Sequence, residues 1–426
     1  MASSDSLTTL REELVQEATE HLLPYWISRT IDEQHGGFVG RIDADEQVVE
    51  KAPKAAVLNT RILWTFASAA RVLDHERCRR LADRAYRYLI EHFWDETHEG
   101  IYWMVDHTGA PFEKRKQIYA QAFAIYAFAE YHRTTGRSDS LHWAIHLFRL
   151  LEMKSHDTTH GGYYEAFSED WTPLESVRLS DEDPDEKKSM NTHLHVLEAY
   201  TNLYRVWDDP DLGARLRVLV EHFLAVIVDG NTSHLIPFFD ETWRRRSSRI
   251  SFGHDIEASW LLVEAAEVLG HDGLEEKTAE TAVRVADATL RDGIDADHGL
   301  AFEAVPDRIT NPDRHWWPQA EAVVGFLNAY QVRGEERFRE AAIETWAFIQ
   351  RHLVDRDGGE WKRRVAPDGT PYHDDKVGPW KGPYHGVRTC LEGVRRIGEL
   401  NGYDRPWPEN GRIKLTSAQD RTFESS

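Results

Sequence analysis

Six times along the chain a short turn, usually carrying glycine, is followed by an aromatic or apolar residue of β character, and this repeat limits the fold more than any other feature. The copies read His35-Gly36-Gly37-Phe38, Glu99-Gly100-Ile101-Tyr102-Trp103, His160-Gly161-Gly162-Tyr163-Tyr164, Ser233-His234-Leu235-Ile236-Pro237-Phe238, His298-Gly299-Leu300-Ala301-Phe302 and Asp357-Gly358-Gly359-Glu360-Trp361. The fourth lacks its glycine and is the weakest. The copies recur about every 60 to 75 residues, and 426 residues shared among six units is about 71 each.

After each turn comes a segment rich in small residues and apolar on every side: NTRILWTFASAARVL, QIYAQAFAIYAFAEYH, SMNTHLHVLEAYTNLYRVW, HDIEASWLLVEAAEVLG, HWWPQAEAVVGFLNAYQ and PYHGVRTCLEGVRRIGEL. A helix without a polar face is a buried helix. The helices before the turns, such as CRRLADRAYRYLIEHFW and RFREAAIETWAFIQRHL, keep a charged face and read as an outer layer. Six outer/inner pairs predict an all-α (α/α)6 barrel, in which short β-hairpin loops join the pairs and the inner ring lines a cavity. The alternative is an open α-solenoid, whose repeats of about 34 to 47 residues are shorter than these. The barrel is expected to be a single domain over residues 1–408, with residues 409–426 a tail where periodicity is lost.

The chain carries 51 Lys+Arg against 73 Asp+Glu, a net charge of −22 that repels phosphate backbones and anionic lipid. Nucleic acid and membrane surfaces are therefore not expected partners, and a neutral small molecule fits best. Only Cys78 and Cys390 occur, with no metal-ligand or disulfide spacing. Asp5, Arg11, Glu12 and Glu13 fall where a signal peptide needs an apolar core, and no long apolar run appears, so a soluble cytoplasmic protein is expected, as a monomer or weak homodimer.

Polar residues on the inner helices need a reason, and they gather near the N-termini. Arg61, Tyr119, Asn191 with His195, His254 with Glu257, Trp317 with Glu321, and Tyr384, His385 and Arg388 open the six segments in turn. Asn191, His195, Glu198 and Asn202 form one polar stripe at helical spacing, whereas His193 lies about 200° round the helix from His195 and should point away from the lumen. Two readings of His254 and Glu257 stay open. In one, Glu257 orients and activates a proton-abstracting His254; in the other, Gly253-His254-Asp255 caps the helix, with Glu257 in the capping-box place. Trp64, Trp317 and Trp380 offer flat faces for stacking on a sugar, and Trp316 reads as core. The basic run at 244–249 and the acidic run at 181–186 read as solvated loops at the rim. There is no phosphate loop, no dinucleotide fingerprint and no HExxH, so no metal and no cofactor are expected.

The blocks KSMNTHLHVLEAYTNLYRVW, ISFGHDIEASWLLVEAAEVLG, WWPQAEAVVGFLNAYQ and DDKVGPWKGPYHGVRTCLE closely resemble the N-acylglucosamine 2-epimerase superfamily, and within it the cellobiose 2-epimerases, from about residue 8 to 408. The resemblance implies an (α/α)6 barrel without a redox cofactor. It would invert C2 of the reducing-end sugar of β-1,4-linked disaccharides, taking cellobiose to glucosyl-mannose or lactose to epilactose. It places the acid/base pair on His254 and His385, a ring-opening histidine on His195 and the arginine at the reacting oxygens on Arg61. Tyr119, Asn191 and Glu257 match supporting positions, and Trp317 and Trp380 match aromatic walls of the sugar site. The chain departs from the family at Gly386, where asparagine is common. The nearest rival within the superfamily is a mannose or other aldose–ketose isomerase. An inverting glycosidase would instead use carboxylates such as Glu257 and Glu321 on opposite sides of the cavity, and a non-enzymatic sugar- or protein-binding member would bind ligand without exchanging C2–H.

Overall fold

The structure is a computed structural model that describes residues 2–403. The last residues of the expected domain, 404–408, and the whole expected tail lie outside the described residues.

Among the described residues, twelve helical rods alternate between two layers. The inner helices are α3 (Ala56–Leu73), α5 (Ile118–Thr135), α7 (Met190–Tyr204), α9 (Phe252–Leu269), α11 (Trp316–Arg333) and α13 (Tyr384–Leu400). The outer rods are α1 (Ala2–Gln16) running on into α2 (Leu23–Arg29), α4 (Glu76–Tyr88), α6 (Ser138–Lys154), α8 (Pro210–His222), α10 (Asp272–Gly293) and α12 (Glu336–Phe348). Local sequence sets the helix ends. Asp209 accepts from the backbone N–H of Asp211 and Leu212 ahead of Pro210 at the start of α8. Gly136, Gly270 and Gly334 end α5, α9 and α11 in the left-handed conformation that glycine adopts without strain.

Each inner helix packs on its neighbours in turn, and α13 packs back on α3, so the ring closes and the solenoid alternative is excluded. A second closure runs round the mouth. The two residues before each of the first five inner helices pair antiparallel with the strand of the next unit, as in Lys54↔Val105, Lys116↔Phe167, Lys188↔Phe239, Ile250↔Ala304 and Arg314↔Val365. A bridge between Ile42 and Val377 completes the circle. The fourth turn forms without glycine because Ser233 itself takes the left-handed conformation, at φ 64°. No helix among the described residues is long and apolar enough to cross a membrane.

Each turn is pinned by a device absent from the sequence reading. An aspartate opens the turn and a cation just ahead of the inner helix reaches back to it: Lys54 to Asp32 at 2.8 Å, Lys116 to Asp95 at 2.7 Å, Lys188 to Asp157 at 2.8 Å and Arg314 to Asp295 at 2.9 Å. Lys376 to Asp355 is the sixth copy, and the fourth substitutes Arg245 on Asp229 at 2.9 Å. Lys116 and Asp95 are both fully buried. Burial opposes the charge on Asp95, but Lys116 and the backbone N–H groups of Thr97 and His98 outweigh it and hold the carboxyl below its ordinary range. A Lys116→Met variant strands that carboxylate and is expected to cost about 3 kcal/mol in urea unfolding. The pair's stabilisation is present above the ordinary carboxylate pKa and fades as pH falls through the lowered one, so the wild-type advantage over this variant shrinks in acid. An equal gap at pH 7 and at strongly acid pH would refute the assignment.

Candidate active site

The repeat also fixes which inner-helix side chains face the lumen. The fourth residue of four helices turns outward to hold its hairpin: Gln121 bonds both N–H and C=O of Ile101 at 2.7 Å, and Gln319 does the same for Leu300. Asp255 accepts from Leu235 N–H at 2.8 Å, and His193 Nε2 accepts from Tyr163 N–H at 2.8 Å. His193 therefore points away from the lumen, as its spacing indicates, and its donor Nδ1–H goes to Ser189 C=O at 2.7 Å. The sixth residues are Arg61, Phe123, His195, Glu257 and Glu321, and they converge inward.

A cavity of about 910 Å³ opens at the mouth, and Arg61, Tyr119, Asn191, His195, His254, Glu257, Trp317, Trp380 and His385 all line it. Trp64 is a correction. It lies three residues beyond Arg61 on α3, about 4.5 Å further along the axis, and does not line the cavity. It stacks on Tyr126 at 5.4 Å and meets Tyr384 edge-on at 5.1 Å, forming part of the packing under the floor. The runs at the rim stand as expected: Asp181, Glu182, Arg244, Arg245 and Arg246 are exposed, and Asp181, Glu182, Asp183 and Arg249 line the mouth of the cavity. Trp316 is buried, yet it also contributes to the lining.

The three histidines have different supports. His195 Nδ1 lies 2.8 Å from Glu198, and His385 Nδ1 lies 2.7 Å from Glu321. An ionised carboxylate only accepts, so each Nδ1 carries the proton and each Nε2 is left with a lone pair. His254 Nδ1 is held at 2.7 Å by Ser251 Oγ. Glu257 does not orient His254 and does not cap the helix: its Oε1 takes Arg388 Nη2 at 2.5 Å, so both sequence readings of this residue are replaced. The departure at Gly386 leaves His385 undisturbed, because Glu321 fixes the ring while Gly386 packs on Leu22.

Burial pushes His254 down to about 3, helped by the neighbouring His195 and His385, and pushes His385 down to about 3 against the pull of Glu321. It lowers His195 as well, against Glu198. All three imidazoles are thus neutral near pH 7 and able to accept a proton. The Trp317 ring lies between two of them, 4.8 Å from His254 and 5.6 Å from His385. That fit depends on Gly253, where a Cβ would come within 2.5 Å of the Trp317 ring. A second aromatic group joins Trp380 to Trp103 and to Tyr119, each at 5.8 Å.

Arg61 is 4% exposed, donates to Tyr119 Oη at 2.9 Å and lies over the rings of Phe123 and Tyr384 at 4.6 and 5.2 Å. No carboxylate pairs with it among the described residues. Arg388, by contrast, is surrounded by Glu198, Glu257 and Glu321. Burial and the neighbouring Glu321 push Glu257 up. Burial opposes the charge on Glu321 too, but Arg388 and His385 win and hold it down, so Glu257 is the carboxylate that keeps a proton.

Glu257, Glu321 and His385 offer ligand atoms within 4.8 Å of one another, as a metal site would. Arg388 Nη2 already bonds both groups, at 2.5 and 2.7 Å, and supplies the positive charge there. The same closeness rules out Glu257 and Glu321 as the pair of an inverting glycosidase, which needs carboxylates about 6.5 to 9.5 Å apart with water between them.

The sequence profile of the N-acylglucosamine 2-epimerase (GlcNAc 2-epimerase) family matches residues 36–389. The cellobiose 2-epimerase of Bacteroides fragilis is 44% identical over 385 residues, covering 90% of this chain and 98% of that protein. The cellobiose 2-epimerase of Dictyoglomus turgidum is 37% identical, covering 92% and 100%. Among solved structures, the cellobiose 2-epimerase of Bacillus thermoamylovorans B4167 superposes with a TM-score of 0.87 at 39% identity, covering 90% of this chain and 98% of the other.

Proposed function

The chain belongs to the N-acylglucosamine 2-epimerase family, and from that premise we propose that it inverts C2 of the reducing-end aldose of β-1,4-linked disaccharides, cellobiose to glucosyl-mannose and lactose to epilactose. The observation that carries the site assignment is the meeting of neutral His254 and His385, from two inner helices, with the unpaired cation Arg61 on one cavity.

The chemistry calls for such a set. C2–H becomes acidic only when C1 is an open-chain aldehyde, so His195 and His385 first move a proton between O1 and the ring oxygen. One of His254 and His385 then takes the C2 proton and becomes an imidazolium; the other, protonated from solvent, returns a proton to the opposite face of the enediolate, and the first gives its proton up to solvent. Charge that builds on O1 and O2 is met by Arg61, whose guanidinium presents a fork of donors. Tyr119 holds that guanidinium in place, while Asn191, Glu257, Trp317 and Trp380 frame the sugar. The proposed route moves protons through an enediolate and no hydride, so it calls for no redox cofactor. A monomer or weak homodimer is the assembly proposed. Cys78 and Cys390 are free buried thiols, in keeping with a cytoplasmic location.

Cellobiose in D2O followed by NMR tests the reading. Deuterium at C2 of a new mannose-configured reducing end is expected. A ketose would point to an aldose–ketose isomerase, and unchanged cellobiose to a binding protein.

The lowered histidines also set the acid limb. Because burial keeps both bases neutral well below the ordinary imidazole value of about 6.5, kcat/KM is expected to change less than threefold between pH 5.5 and 7. A drop of tenfold with a midpoint near 6.5 would show that at least one base is solvated.

A further inference from the structure

Below the cavity floor, one guanidinium collects side chains from four inner helices. Arg388 of α13 is 1% exposed and does not line the cavity, so it does not touch the sugar. Its Nη1 meets Glu198 of α7 and the hydroxyl of Tyr384, and its Nη2 takes Glu257 of α9 at 2.5 Å and Glu321 of α11 at 2.7 Å. Its plane is held over Tyr384 at 4.1 Å and Trp260 at 4.9 Å, and Trp260 Nε1 donates to Glu321 at 3.0 Å. Glu198 and Glu321 are the carboxylates that hold Nδ1 of His195 and His385.

We propose that Arg388 is the positioning residue that joins His195 and His385 into one unit, keeping Glu198 and Glu321 ionised together and so fixing both imidazoles as Nδ1–H tautomers. The ring-opening roles of these histidines rest on the function proposed above; the link between their tautomers does not. Without Arg388 the ionised Glu198 and Glu321 would be packed against the protonated Glu257 with no cation between them, and such groups take up protons. A protonated Glu198 or Glu321 becomes a donor to Nδ1 of its histidine. The ring proton then sits on Nε2, where the sugar needs a lone pair, and the base is lost with its position unchanged. A lysine cannot substitute, because its point charge does not span two carboxylates as the fork does.

The test uses full-length protein labelled with 15N-histidine, wild type against Arg388→Met and Arg388→Lys. Long-range 15N–1H spectra without substrate are expected to show Nδ1–H at His195 and His385 in the wild type, and Nε2–H at both in Arg388→Met. On cellobiose, Arg388→Met should lose at least 100-fold in kcat with KM within threefold, and Arg388→Lys should recover less than a tenth of wild-type kcat. If Arg388→Met does not fold, Arg388→Gln is read instead, and Nε2–H is again expected at both histidines. Unchanged tautomers, a change at one histidine only, or a raised KM with intact kcat would overturn the proposal. A wild type inactive on cellobiose whose tautomers still respond together would sink the proposed function and leave this link standing.

Discussion

A His254→Ala variant is expected to lose about 10³-fold in kcat on cellobiose, within the range for removing a positioned acid/base group, and to stop exchanging C2–H with solvent. KM should move little, because Trp317 and Trp380 still frame the sugar and the imidazole contributes to proton transfer rather than to holding the ground state. His385→Ala should lose at least as much, since it serves both ring opening and C2 transfer. The supports give a finer check. Ser251 Oγ holds His254 Nδ1 at 2.7 Å, so Ser251→Ala is expected to lower kcat about tenfold through looser placement of the ring. Near-normal turnover in His254→Ala or His385→Ala would refute the assignment outright.

The barrel was legible because six copies of one constraint recur. Each unit needs a buried helix, which demands small and apolar residues all round, and a turn that reverses the chain before it. The hairpin pins were equally regular, with Asp32, Asp95, Asp157, Asp229, Asp295 and Asp355 each opening a turn. A surface-like aspartate and a lysine some 20 to 30 residues apart give no periodic signal, however, and only folding buries them against each other.

The site was legible in direction but not in partnership. Helical spacing separated His195 from His193, because angle round an axis follows from sequence. Depth along the axis and contacts across the ring do not. Trp64 shares a face with Arg61 yet lies a turn deeper, and Glu257 finds its partner 131 residues on, at Arg388, rather than three residues back at His254. The pairs His195–Glu198 and His385–Glu321 show the same contrast. The first lies within one helix and was visible as a polar stripe, whereas the second joins α13 to α11 over 64 residues.

Arg61→Met is expected to lower kcat by 10²- to 10³-fold, about 3 to 4 kcal/mol, the loss typical when a donor to a developing oxyanion is removed. The size follows from how the cation is kept. Tyr119 Oη at 2.9 Å and the faces of Phe123 and Tyr384 hold the guanidinium without neutralising it, so its charge is left for O1 and O2 of the enediolate. The bound sugar is neutral, which confines the loss to kcat and leaves KM within about threefold. Arg61→Lys should recover little, since one ammonium cannot bridge two oxygens as the fork does. Stability should move the other way. A buried cation without a carboxylate partner opposes folding, so Arg61→Met is expected to unfold at the wild-type temperature or above it. A lower unfolding temperature together with turnover within tenfold of wild type would mean that Arg61 serves the fold, and that the enediolate charge is balanced by another group.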